Sequence, residues 1–238
     1  MSEKKVVFIT GASGLIGREI LKTFHQNEYS VIAGYYQNQN FFEDLGIKED
    51  VFPLKTDLAH EDSVKGAVQE IRSRYGRIEV LVNNAGMNLP NDFDQISIDD
   101  WNQVFDINLR GAFLLTRELH GVIKDGGAIV NIASFSAQVG GPRTTHYTAA
   151  KAGVIALTEN MARFFAPRNI RVNCVSPGLI ESEMAKAAKR LPILDNVLLN
   201  RLGKPEEIAS VIFFLASEKA SYINAQTISV NGGLSYSF

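Results

Sequence analysis

Tyr147 and Lys151 stand four residues apart in "HYTAAKAGVIALTENMA", a stretch of small and apolar residues with strong helical character. At that spacing both side chains leave one face of a helix. A free phenol titrates near pH 10 and is a poor proton donor at neutrality. An ammonium held close favours the phenolate and lowers that value, which tunes a tyrosine for general acid–base work. By itself the pair says little, because a surface lysine beside a half-buried tyrosine is common on helices. Two further residues give it weight. Ser134 lies thirteen residues upstream, at the expected end of an apolar strand, where its hydroxyl could hydrogen-bond a carbonyl oxygen. Asn108, in "FDINLRGAF", is polar within an otherwise apolar helical stretch, a position unfavourable to asparagine unless it is used. It either holds a water beside Lys151 and extends a proton relay, or is a satisfied core amide.

The elements that must position these residues can be read from periodicity. Short β-branched runs predict strands at Val6–Thr10, Ser30–Tyr35, Val51–Lys55, Ile78–Val82, Ala128–Ala133, Arg171–Ser176 and Thr227–Val230. Helical patterns between them predict helices at Leu15–Gln26, Glu61–Tyr75, Ile98–His120, His146–Ala166 and Pro205–Ala216. Strands separated by helices imply right-handed crossovers and a parallel sheet. The strands are nearly continuous in apolar residues, as expected when helices cover both faces. The expected fold is α/β: one Rossmann-type, doubly wound domain over residues 1–238, a seven-stranded parallel sheet with helices on both faces.

In such a sheet, ligands bind beyond the carboxyl ends of the strands, at the topological switch. The chemically unusual stretches fall there: "TGASGLIG", "TDL", "NNAG", "SFSAQ" and "SPGLIES", each following a strand. Gly11 permits a sharp turn, and Gly17 lets the next helix press against the sheet. The helix N-terminus then offers free N–H groups and partial positive charge to a pyrophosphate. The glycines read G-x-x-G-x-x-G, at Gly11, Gly14 and Gly17, so the turn alone is either a nucleotide-binding turn of altered spacing or a tight turn that binds nothing. After the second strand, "AGYYQNQN" places Tyr35 and Tyr36 where an acidic residue would grip a ribose 2′-hydroxyl, and no carboxylate follows until Glu43. Nothing there repels a 2′-phosphate and no arginine clamps one, which leans toward NADP over NAD. Asp57 either accepts a hydrogen bond from an adenine amino group or caps the helix ahead of Glu61.

Composition narrows the class. The chain has 238 residues, 45% of them hydrophobic, and a net charge of -2, enough for one large core and without the basic footprint of a nucleic-acid or anionic-membrane binder. The lone Cys174 excludes an internal disulfide framework and reads as buried packing in a reducing compartment. No apolar run reaches the length of a signal peptide core or a membrane span, so a cytoplasmic protein is expected. The four histidines are scattered and no Cys/His cluster exists, so no metal site is expected.

Together, "ITGASGLIG", "TDL", "VLVNNAG", "INLRGAF", Ser134, "YTAAK", "IRVNCVSPGLIESEM" and "RLGKPEEIASVIFFLASEKASYINAQTISVNGG" resemble the short-chain dehydrogenase/reductase family over nearly the whole chain. The resemblance places the family's catalytic Asn, Ser, Tyr and Lys on Asn108, Ser134, Tyr147 and Lys151. It implies cofactor contacts at Gly11, Ser13, Leu15, Ile16, Gly17, Asp57 and Leu58, and at Asn84, Ala85 and Gly86 along the adenosine side. It further implies that Tyr147 and Lys151 meet the nicotinamide end, Lys151 at the ribose, and that Pro177, Gly178 and Ile180 cover the nicotinamide. Single-domain members usually read T-G-x-x-x-G-x-G; here Leu15 stands in the second glycine's place, and Gly14, one residue earlier, is expected to relax the turn.

The reaction implied is hydride transfer between nicotinamide C4 and a carbonyl or alcohol carbon, with Tyr147 as proton donor, Ser134 positioning the oxygen and Lys151 lowering the phenol's pKa. Within the family the likeness is to reductases of 3-oxoacyl thioesters borne on acyl carrier protein, chiefly through "RLGKPEEIA…FLAS…YINAQTISVNGG". An acidic carrier protein would need a basic surface. The segment "GVIKDGGAIV" offers one lysine beside an aspartate, leaving Arg168 available. Residues 181–203 are expected to form a substrate lid, whose apolar residues suit either an acyl chain or plain helix packing. Reduction of a small ketone, oxidation of a sugar alcohol, and a nucleotide-sensing protein without turnover are the other readings. Relatives' habits imply a homotetramer.

Overall fold

The computed structural model describes residues 4–38, 41, 45–47, 49–181 and 195–234. The seven apolar runs form one sheet: β1 (Val6–Ile9), β2 (Ser30–Tyr35), β3 (Val51–Lys55), β4 (Ile78–Asn83), β5 (Ile123–Ile132), β6 (Arg171–Pro177) and β7 (Thr227–Val230). Every pairing is parallel, in the order β3-β2-β1-β4-β5-β6-β7. The two-residue alternation of a strand splits each apolar run between two cores. Val7, Ile9, Val31, Val80 and Val82 point to one face, where α1 (Leu15–Gln26) and the helix Pro205–Ala216 cover them. Phe8, Ile32, Leu81 and Ile129 point to the other, under α2 (Glu61–Tyr75) and the helices Gly111–Leu119 and Thr145–Phe165. The chain winds from β1 outward to β3, then returns to pair β4 with β1 on its other side. That reversal opens a crevice at the carboxyl ends of β1 and β4.

The long helix expected over Ile98–His120 is not continuous. It comprises α3 (Ile98–Phe105), a π-helical stretch at Asp106–Arg110, and α4 (Gly111–Leu119). Asn108 supplies the cause. Its side-chain Nδ2 donates to the Val104 carbonyl at 2.8 Å, the acceptor its own backbone N–H would take in an α-helix. The backbone widens locally, as π-bulges do at functional sites. β5 starts five residues earlier than expected, at Ile123, through an irregular stretch where the register against β4 shifts. A short helix, α5 (Ser136–Val139), follows it where no element was expected, and α6 (Thr145–Phe165) comes next.

A buried chain of polar side chains sets α6 against the sheet. Asn83 Nδ2 donates to Asn131 Oδ1 at 2.8 Å and to Thr116 Oγ1 at 3.1 Å, and Asn131 Nδ2 donates to Thr158 Oγ1 at 2.9 Å. Each bond contributes about 1 kcal/mol net, while leaving one of these groups unpaired would cost about 1–3 kcal/mol, so the network fixes register more than it adds stability. It holds α6 to β5 at Thr158, two turns below Lys151.

Candidate active site

The glycine turn is built by packing. Gly11 has φ of +63°, and a Cβ there would lie 2.8 Å from the Cα of Ala85. A Cβ on Gly17 would lie 2.1 Å from the Gly11 carbonyl oxygen, so only glycine lets α1 sit this close. Gly14 differs from the expectation. Its φ is -75° and its Cβ would meet only the Gly11 oxygen at 3.3 Å, so the turn needs no special freedom there. Thr10 and Asn84 lock this turn to β4: Thr10 Oγ1 accepts from the N–H groups of Asn84 and Ala85, each at 3.0 Å. Asn84 Nδ2 donates to the carbonyls of Thr10 and Gly11, at 2.9 and 3.1 Å. Asn84 therefore shapes the turn as well as lining the crevice. No side chain caps α1 at Gly14, and its first N–H groups face the crevice. These are the features an anionic pyrophosphate requires.

Ser134, Tyr147 and Lys151 come together at the mouth of β5 and β6. Lys151 Nζ lies 5.8 Å from the Tyr147 ring centroid, and it donates to the Ile132 carbonyl at 2.8 Å. The lysine is buried, and desolvation lowers its pKa from 10.5 to about 8, opposed by the nearby Cys174. The same burial pushes the Cys174 thiol up to about 11, consistent with an inert packing role. For Tyr147 the expected lowering by Lys151 does not appear. Burial raises the phenol's pKa, and the interaction that lowers it comes from Ser134. The physical reason is order of titration: burial makes Lys151 give up its proton at about pH 8, before the buried phenol, raised above its ordinary value of 10, begins to ionise.

Asn108 engages both ends of its amide with protein groups. Nδ2 donates to the carbonyls of Met87 and Val104, and Oδ1 accepts from the Met87 N–H at 3.3 Å. These protein contacts are those expected of a core amide. Asn108 still belongs beside the reactive pair, because a Cβ built on Gly86 would lie 2.7 Å from its Oδ1 and 3.1 Å from Lys151 Nζ. The glycine of "NNAG" is thus the gap through which β4's exit, Asn108 and Lys151 meet.

One elongated cavity of about 840 Å³ joins these groups. Gly11, Ser13, Leu15, Ile16 and Gly17 line its first end, with Asp57 and Leu58 beside them. Asn84, Ala85 and Gly86 line the middle, and Ser134, Tyr147, Lys151, Pro177, Gly178 and Ile180 the far end. Asn108 is the one expected site residue that does not face it. Asp57 does not cap the helix that begins at Glu61, whose N-cap is His60 without a side-chain bond. Its Oδ1 accepts from the Ala59 N–H at 3.0 Å and its Oδ2 contacts His60 Nδ1 at 3.0 Å in the turn before that helix, and the residue lines the cavity. The shape and the cradle at Gly86 fit a dinucleotide with its reactive end at Tyr147.

The sequence reading missed several lining residues. Gln37 and Asn38 follow Tyr36 at the adenosine end, and Asn88, Gln103 and Ile107 stand at the reactive end. The four-residue spacing of Gln103 and Ile107 on the helix that carries Asn108 was the available signal. Ser136, from the quoted "SFSAQ", hydrogen-bonds Ser134 and was also missed.

Arg168 is not available for docking, contrary to expectation. Its Nε donates to Asp125 at 2.7 Å, and its Nη atoms donate to the carbonyls of His120 and Ile123. It closes the irregular start of β5. Most of the expected lid, residues 182–194, lies outside the described residues. Its flanks do pair: Gly203 N donates to the Leu179 carbonyl at 2.9 Å and Glu181 N to the Gly203 carbonyl at 2.8 Å. Among the described residues no helix is long and apolar enough to cross a membrane, and no cluster of metal-ligating side chains occurs.

A family model described as enoyl-(acyl carrier protein) reductase matches residues 11–235. The 3-oxoacyl-[acyl-carrier-protein] reductase FabG of Thermotoga maritima is 39% identical over 241 residues, covering 98% of this chain and 98% of that protein. Its counterpart in Chlamydia pneumoniae is also 39% identical, over 98% of this chain and 97% of its own length. Among solved structures, a short-chain dehydrogenase/reductase from Brucella melitensis, described as a glucose/ribitol dehydrogenase, superposes with a TM-score of 0.93 at 35% identity, over 99% of this chain and 98% of that one. A blue fluorescent protein from a metagenomic library, solved with NADPH, gives 0.92 at 28% identity over 98% of each chain.

Proposed function

We infer that this chain, which belongs to the short-chain dehydrogenase/reductase family, reduces a 3-oxoacyl thioester, presented on acyl carrier protein, to the 3-hydroxyacyl form. It is an NAD(P)-dependent oxidoreductase acting on a C=O or CH–OH group. The observation that carries the reading is the convergence of Ser134, Tyr147 and Lys151 at one end of a cavity whose other end is the glycine turn.

When bound, the nicotinamide supplies the hydride that the carbonyl carbon takes up. The residues at the far end handle the oxygen. Ser134 hydrogen-bonds and orients it. Tyr147 gives its phenolic proton to the oxygen as negative charge develops there, and the phenolate left behind is reprotonated from solvent. Lys151, buried beside the Tyr147 ring with its Nζ held by the Ile132 carbonyl, would hold the nicotinamide ribose. Gly11, Ser13, Leu15, Ile16 and Gly17 would hold the pyrophosphate, and Asp57, Asn84 and Ala85 the adenosine side. Pro177, Gly178 and Ile180 would cover the nicotinamide, and holding both reactants in this slot accounts for much of the rate.

NADPH is the favoured form. Tyr35, Tyr36, Gln37 and Asn38, the segment that follows β2, bring no carboxylate to the adenosine end, where Asp57 follows β3, so a 2′-phosphate beside β2 meets amides instead of negative charge. The same reading includes a cytoplasmic homotetramer. Phe113 on α4 and Phe164 on α6 are exposed, apolar surface that association would cover. Sedimentation of a monomer at micromolar concentration would remove the tetramer. The test of function is a spectrophotometric comparison of NADPH and NADH oxidation with acetoacetyl thioesters, free and carrier-bound, against small ketones. Turnover of ketones alone would replace the acyl reading with the small-carbonyl one.

A further inference from the structure

We propose that Ser136 is a positioning residue for this reaction, which compels the Ser134 hydroxyl to donate its one proton into the cavity, to the Tyr147 phenol or, once substrate is bound, to the substrate oxygen. The inference rests on the reading of the cavity given above. Ser136 opens α5, two residues beyond Ser134. Its backbone N–H donates to Ser134 Oγ at 3.3 Å and its own Oγ donates to the same atom at 3.0 Å. A serine hydroxyl has one proton and two lone pairs. With both lone pairs engaged by Ser136, the remaining proton must point away from it, into the cavity that Ser134 and Tyr147 share.

The polarity matters because Ser134 can act on the phenol in two opposite ways. As a donor it stabilises the phenolate; as an acceptor it stabilises the neutral phenol. Removing Ser136 Oγ frees one lone pair. Ser134 can then rotate and accept from Tyr147, which holds the proton on the phenol instead of easing its release. The backbone half of the arrangement survives any side chain at 136, so the effect is partial and specific to the hydroxyl.

The test compares the parent chain with Ser136→Ala and Ser136→Thr. One readout is the ionisation of Tyr147 in the ligand-free protein, taken as ultraviolet difference absorbance between each protein and its Tyr147→Phe counterpart. The other is the pH profile of kcat with NADPH and an acetoacetyl thioester. Ser136→Ala should move the phenol's titration to higher pH and lower kcat about 3- to 10-fold, the loss of one hydrogen bond, with KM changed less than about two-fold. Ser136→Thr, which keeps a hydroxyl, should restore both. An unmoved titration in Ser136→Ala, or an equal displacement in Ser136→Thr, overturns the proposal. If the parent chain turns over no thioester, the functional reading fails while the phenol titration still decides the role of Ser136.

Discussion

Lys151 Nζ lies 5.8 Å from the centre of the Tyr147 ring, yet its hydrogen bond goes to the Ile132 carbonyl at 2.8 Å. The two residues share a helix face, as their spacing requires, but the charge is aimed at the strand. What lowers the phenol's pKa in this arrangement is Ser134, working against burial. Of the two neighbours, the serine acts on the phenol directly, while the lysine's polar end is held by the strand.

Tyr147→Phe removes the proton donor and leaves the cavity's shape intact. Turnover should fall about 10²- to 10⁴-fold. Cofactor affinity, read by fluorescence titration, should stay within a factor of about 3. A sensor without turnover would show no functional change in the same variant, and full retained reductase activity would remove the phenol from the mechanism.

The pH dependence of stability follows from Lys151. Its pKa is about 8 in the folded chain and 10.5 when free, so between those values the unfolded chain holds a proton that the folded chain has released. Stability contributed by this group therefore rises with pH across that window. Below about pH 8 the buried charge costs about 3 kcal/mol. Denaturant titrations of the chain and of Lys151→Met, run from pH 7 to above pH 10, should converge as pH rises. Parallel curves would place the lysine in a wetter site than its burial indicates.

The three glycines of the turn should respond differently to alanine. Gly17→Ala forces a Cβ to 2.1 Å from a backbone oxygen and should abolish cofactor binding or folding. Gly14→Ala meets one atom at 3.3 Å and should change stability by less than about 1 kcal/mol. Gly86→Ala pushes on Asn108 Oδ1 and Lys151 Nζ, so kcat should drop while the thermal transition moves little. Thermal melts and cofactor titrations on the three variants separate these outcomes.

Arg168→Ala tests what the arginine is for. Tied to Asp125 and to the carbonyls of His120 and Ile123, it should act on stability, with a loss of about 1–2 kcal/mol. KM for a carrier-bound thioester should change no more than KM for the free thioester. A selective loss with the carrier-bound form would return Arg168 to the docking surface.

Much of this protein could be read from local pattern. Two-residue alternation in "VVFI" and "VLV" places Phe8 and Leu81 on one face and Val7 and Val82 on the other, because pleating leaves no alternative. The four-residue step from Tyr147 to Lys151, and glycine at 11 and 17, follow equally from helix geometry and the missing Cβ. What tertiary structure decided are the contacts between segments distant in sequence. Lys151 turns to Ile132, Arg168 closes on Asp125, and Asn108 spends its amide on Met87 and Val104, bulging the helix that periodicity had drawn as continuous. A side chain's spacing settles the face from which it leaves. Where its polar end goes is settled by whichever unpaired carbonyl or hydroxyl folding brings within reach, since burying it without a partner costs more than bending toward one.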